Sequence, residues 1–253
     1  MPAFDVVIPA RNEELTVGDV VRAALKAEGV GQVVVVDDGS TDGTKAAALA
    51  AGASVVSTPR TKGAKGDKGD KGRAMETGVA ATAATAADVL VFFDADILGT
   101  LPLHFETLAA PVLAGSAVLS CGIVDYGFKN PLFLRLPPIT GLRALKREIF
   151  TAIPEERRNG FRIEIMINEV VARRRLPSVI RVLTGLTHRS KIDKVGWRRG
   201  LPAHLAMTGE LLGCLRTVPL WTYGAYLSHL TVLPPADPAA EIIHAAPHYV
   251  GKA

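Results

Sequence analysis

Thiols are scarce in this chain. Cys121 and Cys214 are the two cysteines among 253 residues, and neither has a partner at short spacing. A disulfide scaffold and a cysteine zinc site are thereby argued against, and a reducing compartment fits. Aromatic residues make up only 6%. The basic clusters therefore lack the interleaved rings on which bases stack, so no nucleic-acid partner is expected. The first 15 residues already contain acids and show no basic region leading into an apolar run. The expectation is no secretory signal and a cytoplasmic location. Long apolar runs are missing as well. The nearest, Thr217–Ala236, has no formal charge outside His229, but Pro219, Gly224, Ser228 and His229 interrupt it. It reads as a buried or membrane-surface segment, which leaves peripheral membrane contact open.

What is present is enough for a large core. Hydrophobic residues reach 48% and the mean hydropathy is +0.24, which excludes wholesale disorder. The net charge of +4 is unevenly placed: Arg60–Arg73 holds six basic and two acidic residues, and Arg143–Arg199 fifteen and six. Basic surface suits a phosphorylated ligand or an anionic membrane, and equally an ordinary solvated face.

The first half alternates strand and helix signals. Strands are expected at Phe4–Pro9, Gln32–Val36, Ser54–Ser57 and Val89–Phe93. Helices are expected within Glu13–Glu28, Ser40–Ala51 and Met75–Ala87. Such alternation implies an α/β fold with a mostly parallel sheet flanked by helices. The second half is less regular, with a strand expected at Val118–Val124 and another at Val179–Leu183. Helices are expected at Leu142–Ile149, at Glu164–Arg175 and within Val195–Leu215. Gly63–Gly72, GAKGDKGDKG, reads as a lysine-bearing loop, since three glycine triplets are far too few for a collagen helix. No clean linker divides the chain, so one domain is expected: a nucleotide-binding half over about 1–98, an acceptor half over about 99–233 and a tail over 234–253.

Two apolar strands run into pairs of acids. VVVVDDGSTDGT ends in Asp37 and Asp38, and VLVFFDADIL in Asp94 and Asp96. In an open parallel sheet, ligands bind beyond the carboxyl ends of the strands. Carboxylates placed there stay wet and can bind a ligand, whereas in the core each would cost several kcal/mol. Residues i and i+2 of an extended chain point the same way, so Asp94 and Asp96 could share a hard cation with nucleotide phosphates. Each acid could instead cap or turn the following segment. Asp38–Gly39–Ser40 is ordinary turn chemistry, and Ser40 or Thr41 could cap the next helix. Asp38 could equally accept hydrogen bonds from a base or ribose.

Taken in order, VVIPARNEE, VVVVDDGSTDGT, KGRAMETG and VLVFFDADIL resemble the nucleotide-binding half of the family 2 glycosyltransferases with the GT-A fold, a Rossmann-like sheet. GLRALKREIF, FRIEIMINEVVARRR and THRSK are similar to later segments of that superfamily, so the likeness covers roughly residues 4–200. Within it, the K-G-x-A pattern resembles the glucosyl- and mannosyl-3-phosphoglycerate synthases, and polyprenyl- and dolichyl-phosphate glycosyltransferases are similar too. The resemblance implies Pro9, Ala10, Arg11 and Glu13 around the nucleotide, Asp38 on its base or ribose, and Lys71 on its diphosphate. It puts Asp94 near the ribose or sugar and Asp96 on the metal, with His188 completing the metal site. Lys191 would sit by the diphosphate. Thr140, Gly141 and Arg143 would form the acceptor loop, and Glu164 falls where inverting relatives carry an acidic base. The acid pair usual there is replaced by R-I-E-I, which leaves inversion or retention open.

The resemblance thus implies an enzyme, a hexosyltransferase using Mg²⁺ or Mn²⁺. It would move a hexose from a nucleotide-diphosphate sugar, UDP-glucose by default, to a phosphorylated acceptor such as 3-phosphoglycerate. A lipid phosphate at the membrane surface is the alternative acceptor, and a homodimer is open. A sugar nucleotidyltransferase would need a G-x-G-T-R loop after the first strand, where this chain has PARNEE. A non-catalytic basic binding module would leave the acid pairs unexplained.

Overall fold

Near-continuous burial along valine-rich strands, with successive side chains on opposite faces, builds a sheet with two apolar faces. The structure, a computed structural model, describes residues 3–58, 69–85, 87–136, 138–188 and 220–236. In the first half, β1 (Phe4–Ala10), α1 (Val17–Leu25), β2 (Val30–Asp37), α2 (Thr44–Ala50), β3 (Ser54–Ser57), α3 (Lys71–Ala81) and β4 (Val89–Phe92) follow one another. Then come β5 (Ile97–Leu98), α4 (Pro102–Leu113), β6 (Leu119–Val124), α5 (Asn130–Phe133), β7 (Arg143–Lys146), α6 (Arg147–Thr151) and α7 (Ile163–Arg173). The last described elements are β8 (Ser178–Leu183), β9 (Thr187–His188), α8 (Leu220–Ser228) and β10 (Leu230–Val232).

Eight strands form one sheet in the order β10-β8-β6-β7-β4-β1-β2-β3, and β5 pairs with β9 in a small separate ribbon. Neighbours run parallel except at β7, which is antiparallel to both β4 and β6. Val6, Ile8, Val33, Val35 and Val91 pack on one face with α1 and α4. Val7, Val34, Val36, Leu90 and Phe92 pack on the other with α3, α6 and α7. Strands buried on both faces explain the continuous apolar runs.

The expected helix over Leu142–Ile149 is corrected to strand β7 followed by the short α6. Leu142, Leu145 and Ile149 fall at helical spacing, but the segment is wedged between β4 and β6. Ala144 and Leu145 serve opposite apolar faces, and sheet pairing overrides the periodicity. Thr217–Ala236, from Leu220 on, is the nine-residue α8 and the edge strand β10. Among the described residues, no helix is long and apolar enough to cross a membrane. The expected helical material in Val195–Leu215, Cys214 and most of the tail lie outside the described residues. Lys71 and Gly72, read as loop, instead open α3, whose N-cap Asp70 accepts a hydrogen bond from Arg73 N at 3.1 Å.

At the end of the sheet far from the acid pairs, Asp5 is fully buried. It accepts from Gln32 N at 2.9 Å and from the Thr85 hydroxyl, and pairs with Arg147 Nη2 at 3.2 Å. Arg147 also donates to the carbonyls of Val79, Thr82 and Ala87. The sequence reading passed over this pair, because one acid in a short apolar strand gives no sign of its distant partner.

Candidate active site

The carboxyl ends of β1, β2 and β4 lie at one edge of the sheet. The chain order turns back at β1, with β2 on one side and β4 on the other, which opens the crevice where α/β sheets bind ligands. Pro9 and Ala10 are the last residues of β1, paired with Val36 and Asp37. Arg11 follows and donates from Nη1 to Asp38 O at 2.8 Å. Buried Glu13 anchors its loop through its backbone N–H to Thr44 Oγ1 at 2.7 Å.

The acids after β2 divide their work. Asp37 accepts from Ser40 N at 3.0 Å and so makes the turn. The expected Ser40 or Thr41 cap is corrected, because α2 starts later, at Thr44, where Asp42 accepts from Thr44 N at 3.0 Å. Asp38 points toward α3, where its Oδ2 accepts from Asp70 N at 2.6 Å. Burial pushes the Asp38 carboxyl above its ordinary value, against the Asp70 N–H, the Thr58 hydroxyl and the Arg11 charge. Gly69 lies so close to Asp38 and Arg11 that a Cβ there would overlap the carboxylate.

The first turn of α3 carries Lys71 into the site. Its Nζ donates to Asp94 Oδ1 at 2.8 Å and to Glu164 Oε1 at 2.7 Å. The three side chains are 16%, 20% and 4% exposed. Burial alone would lower the Lys71 pKa, but the two carboxylates outweigh it and hold the ammonium charged. Burial likewise works against the Glu164 carboxylate, and Lys71 and Arg143 hold it below its ordinary value. A carboxylate kept ionised in this way is a weak general base, so the geometry favours Glu164 as the anchor of Lys71. An ammonium has three donors, and two are used here.

Asp94 and Asp96 were expected to project together from an extended strand. They lie instead past the end of β4, in the turn that leads to β5. The turn separates their tasks: Asp94 holds Lys71, while Asp96 Oδ1 lies 3.7 Å from His188 Nδ1. Pairing of Ile97 with His188 in the β5–β9 ribbon sets that contact. The contact with Asp96 raises the His188 pKa against the effect of burial. Among the described residues there is no cluster of three or more metal-ligating side chains. One carboxylate and one imidazole fit a divalent ion whose other positions go to phosphate oxygens and water.

The loop before β7 closes the site from the other side. Gly141 sits against Asp94 so closely that a Cβ would overlap its carboxylate. The Thr140 hydroxyl donates to Gly122 O at 2.8 Å and accepts from Leu142 N at 3.1 Å, so it braces its own loop. Arg143 overturns the expectation of an acceptor contact. It is 0% exposed, and its guanidinium donates inward to the carbonyls of Thr140 at 2.8 Å, Glu164 at 3.3 Å and Pro138 at 3.4 Å. As the first residue of a strand packed on both sides it cannot reach solvent. Lys191 lies outside the described residues. Asp70, which touches both Asp38 and the segment before α7, escaped the sequence reading; its placement just before a helix-opening K-G was the available signal.

The family model for "Glycosyl transferase family 2" matches residues 5–172, which contain Asp38, Lys71, Asp94, Asp96 and Glu164. The chain belongs to this glycosyltransferase family. Its relatives include a glucosyl-3-phosphoglycerate synthase of Mycobacterium tuberculosis, 29% identical over 227 residues, covering 76% of this chain and 69% of the relative. The corresponding synthase of Mycolicibacterium smegmatis is 30% identical over 129 residues, 50% of this chain and 41% of the relative. Among solved structures, the M. tuberculosis synthase with phosphoglyceric acid superposes with a TM-score of 0.68 at 28% identity, covering 88% of this chain and 80% of that one. Its complex with Mn²⁺, UDP and glucosyl-3-phosphoglycerate gives a TM-score of 0.67 at the same identity and coverage. The GT-A fold and the transferase class are therefore as the sequence motifs implied, and a non-catalytic binding module is ruled out.

Proposed function

We propose that this glycosyltransferase moves a hexose from a uridine-diphosphate sugar, UDP-glucose by default, to a small phosphorylated acid such as 3-phosphoglycerate. The observation that carries the reading is Lys71, held between Asp94 and Glu164 beside the Asp96–His188 pair at the carboxyl edge of the sheet. The likeness to the mycobacterial synthases supports the choice of donor and acceptor. Asp38 takes the base or ribose, with Arg11 holding the backbone behind it. The third N–H of Lys71 meets the diphosphate and offsets the charge that develops on the leaving nucleotide. Glu164 keeps that ammonium in position, and Asp94 lies between it and the Gly141 loop, where the sugar and acceptor meet. Asp96 and His188 would hold Mn²⁺ or Mg²⁺, which supplies further charge neutralisation at the diphosphate when bound.

Thermal-shift measurements with UDP-, GDP- and ADP-glucose, with and without Mn²⁺, test the donor. A rise in Tm with UDP-glucose and not with the other two, larger with Mn²⁺ than without it, is expected, and no rise with any of the three refutes the donor reading. Mass spectrometry with 3-phosphoglycerate should then find the glucosylated product, and its absence beside intact donor binding refutes the acceptor.

A lipid phosphate is a second acceptor reading with one observation in its favour. Phe128, Leu132, Leu136 and Ile139 are 90%, 61%, 47% and 47% exposed, in the segment that leads into Thr140 and also carries Lys129 and Arg135. Basic and apolar side chains together suit an anionic bilayer surface. Flotation with phosphatidylglycerol-containing vesicles decides it, and a protein that stays at the bottom of the gradient removes the reading.

A further inference from the structure

We propose that Asp70 is a positioning residue for the transfer reaction and acts through Lys71. This rests on the reading of Lys71 as the diphosphate contact. Asp70 is extended, with φ −122° and ψ 91°, and its Oδ1 accepts from Arg73 N at 3.1 Å, which caps α3. The same oxygen accepts from Gly160 N at 2.7 Å, in the segment that runs into α7 and Glu164. Its backbone N–H donates to Asp38 Oδ2 at 2.6 Å. One residue therefore touches the aspartate assigned to the nucleoside, the helix that bears Lys71, and the segment that supplies the lysine's other anchor.

The neighbours reinforce this arrangement. Residues 70, 71 and 72 each grip the 158–164 segment in turn. Asp70 holds Gly160 N, and Lys71 holds Glu164 at 2.7 Å. Gly72 packs so tightly that a Cβ would come within 2.7 Å of Asn159 N and Cα. One turn further along α3, Glu76 pairs with Arg158 at 2.8 Å. A cap alone satisfies backbone donors of its own helix and fixes nothing outside it. Here the capping oxygen also fixes where the α7 side of the Lys71 clamp begins. Lys71 is a long, flexible side chain, and its ammonium can serve the diphosphate only if Asp94 and Glu164 stay where they can hold it.

The test separates capping from positioning. Asp70→Ser keeps a cap oxygen but is one bond too short to reach Gly160, while Asp70→Asn keeps an acceptor for both N–H groups. Affinity for UDP in Mn²⁺ is measured calorimetrically on the full chain, alone and with Lys71→Met. Asp70→Ser is expected to bind UDP about fivefold more weakly, the effect of one lost net hydrogen bond, with Asp70→Asn close to wild type. In the Lys71→Met background the same Asp70→Ser change should shift affinity less than about twofold, because the residues act as one unit. Wild-type affinity in Asp70→Ser, or a fivefold loss that persists without Lys71, overturns the proposal. If Lys71→Met itself leaves UDP affinity unchanged, the diphosphate role of Lys71 fails, and the role of Asp70 fails with it.

Discussion

Replacing Lys71 with methionine tests whether the clamp on Glu164 is electrostatic or merely close packing. Methionine keeps most of the aliphatic stem and removes the charge. Glu164, 4% exposed, then loses the ammonium 2.7 Å away and keeps only the more distant influence of Arg143. Removing one member of a buried ion pair typically costs about 3–5 kcal/mol. The lower end, about 3 kcal/mol, is expected here, because Asp94 is 20% exposed and can be rescued by water. The pH dependence carries the sharper signature. In the wild type Glu164 is held below its ordinary pKa, so its contribution is present above the unfolded-state value and is lost only as pH falls through the folded one. The raised pKa of Lys71 keeps its contribution complete until pH exceeds the unfolded value of 10.5. Between those limits the pair adds no pH dependence of its own. In the variant, burial is left as the dominant influence on Glu164, whose folded pKa moves above the unfolded one. The stability deficit should then shrink as pH falls toward 5, by at most about 1.4 kcal/mol per unit for one group. Urea unfolding at pH 7.5 and 5.5, with m checked for constancy, measures both effects. Lys71→Met/Glu164→Gln should recover at least about 1 kcal/mol relative to the single variant. A loss below about 1 kcal/mol that is equal at both pH values would refute the buried-charge argument.

Two further changes address the site itself. Gly141→Ala places a methyl group on the Asp94 carboxylate, so Asp94 must leave Lys71; kcat/KM with UDP-glucose should fall at least about tenfold, and an unaltered value refutes the close approach. Asp96→Ala and His188→Ala should each abolish the part of the UDP-induced Tm shift that depends on Mn²⁺ while leaving the shift in EDTA intact, and a Mn²⁺-dependent shift that survives either change removes that residue from the metal site.

The parallel half of the molecule was legible because burial on both faces leaves a plain trace. The valines of β2 and the Val89–Phe92 run of β4 admit few other readings, and the acids that follow them mark the carboxyl edge of the sheet. The loop before β7 was harder to read. In Arg143–Lys146 the adjacent Ala144 and Leu145 serve opposite apolar layers, as in a strand, while the spacing of Leu142, Leu145 and Ile149 imitates a helix. Arg143 itself looked like a surface cation, since nothing local reveals three inward carbonyls contributed by Thr140, Pro138 and Glu164. Lys71 was expected at the diphosphate and in a loop; the structure pairs it with Asp94 and Glu164 and places it in the first turn of α3. The glycine-rich stretch ahead of it suggested a loop, whereas Asp70 is a sound N-cap and α3 begins at once. The Asp94–Lys71–Glu164 cluster joins residues 23 and 93 positions apart, and such contacts have no signature in a single sequence.

Strand β7 runs against its neighbours, so the chain meets the carboxyl edge of the parallel strands before entering β7 rather than on leaving it. β6 and β7 are hydrogen-bonded to each other, with Cys121 opposite Arg143, and the stretch joining them is therefore a long hairpin arm that departs from and returns to one place. Lengthening such an arm is thermodynamically cheap, about 0.6 kcal/mol for each doubling. Evolution, or an engineer, can thus graft a different arm between Val124 and Thr140 without disturbing the parallel strands on the far side of β4; under the proposed function, that would change the acceptor and leave the donor side alone.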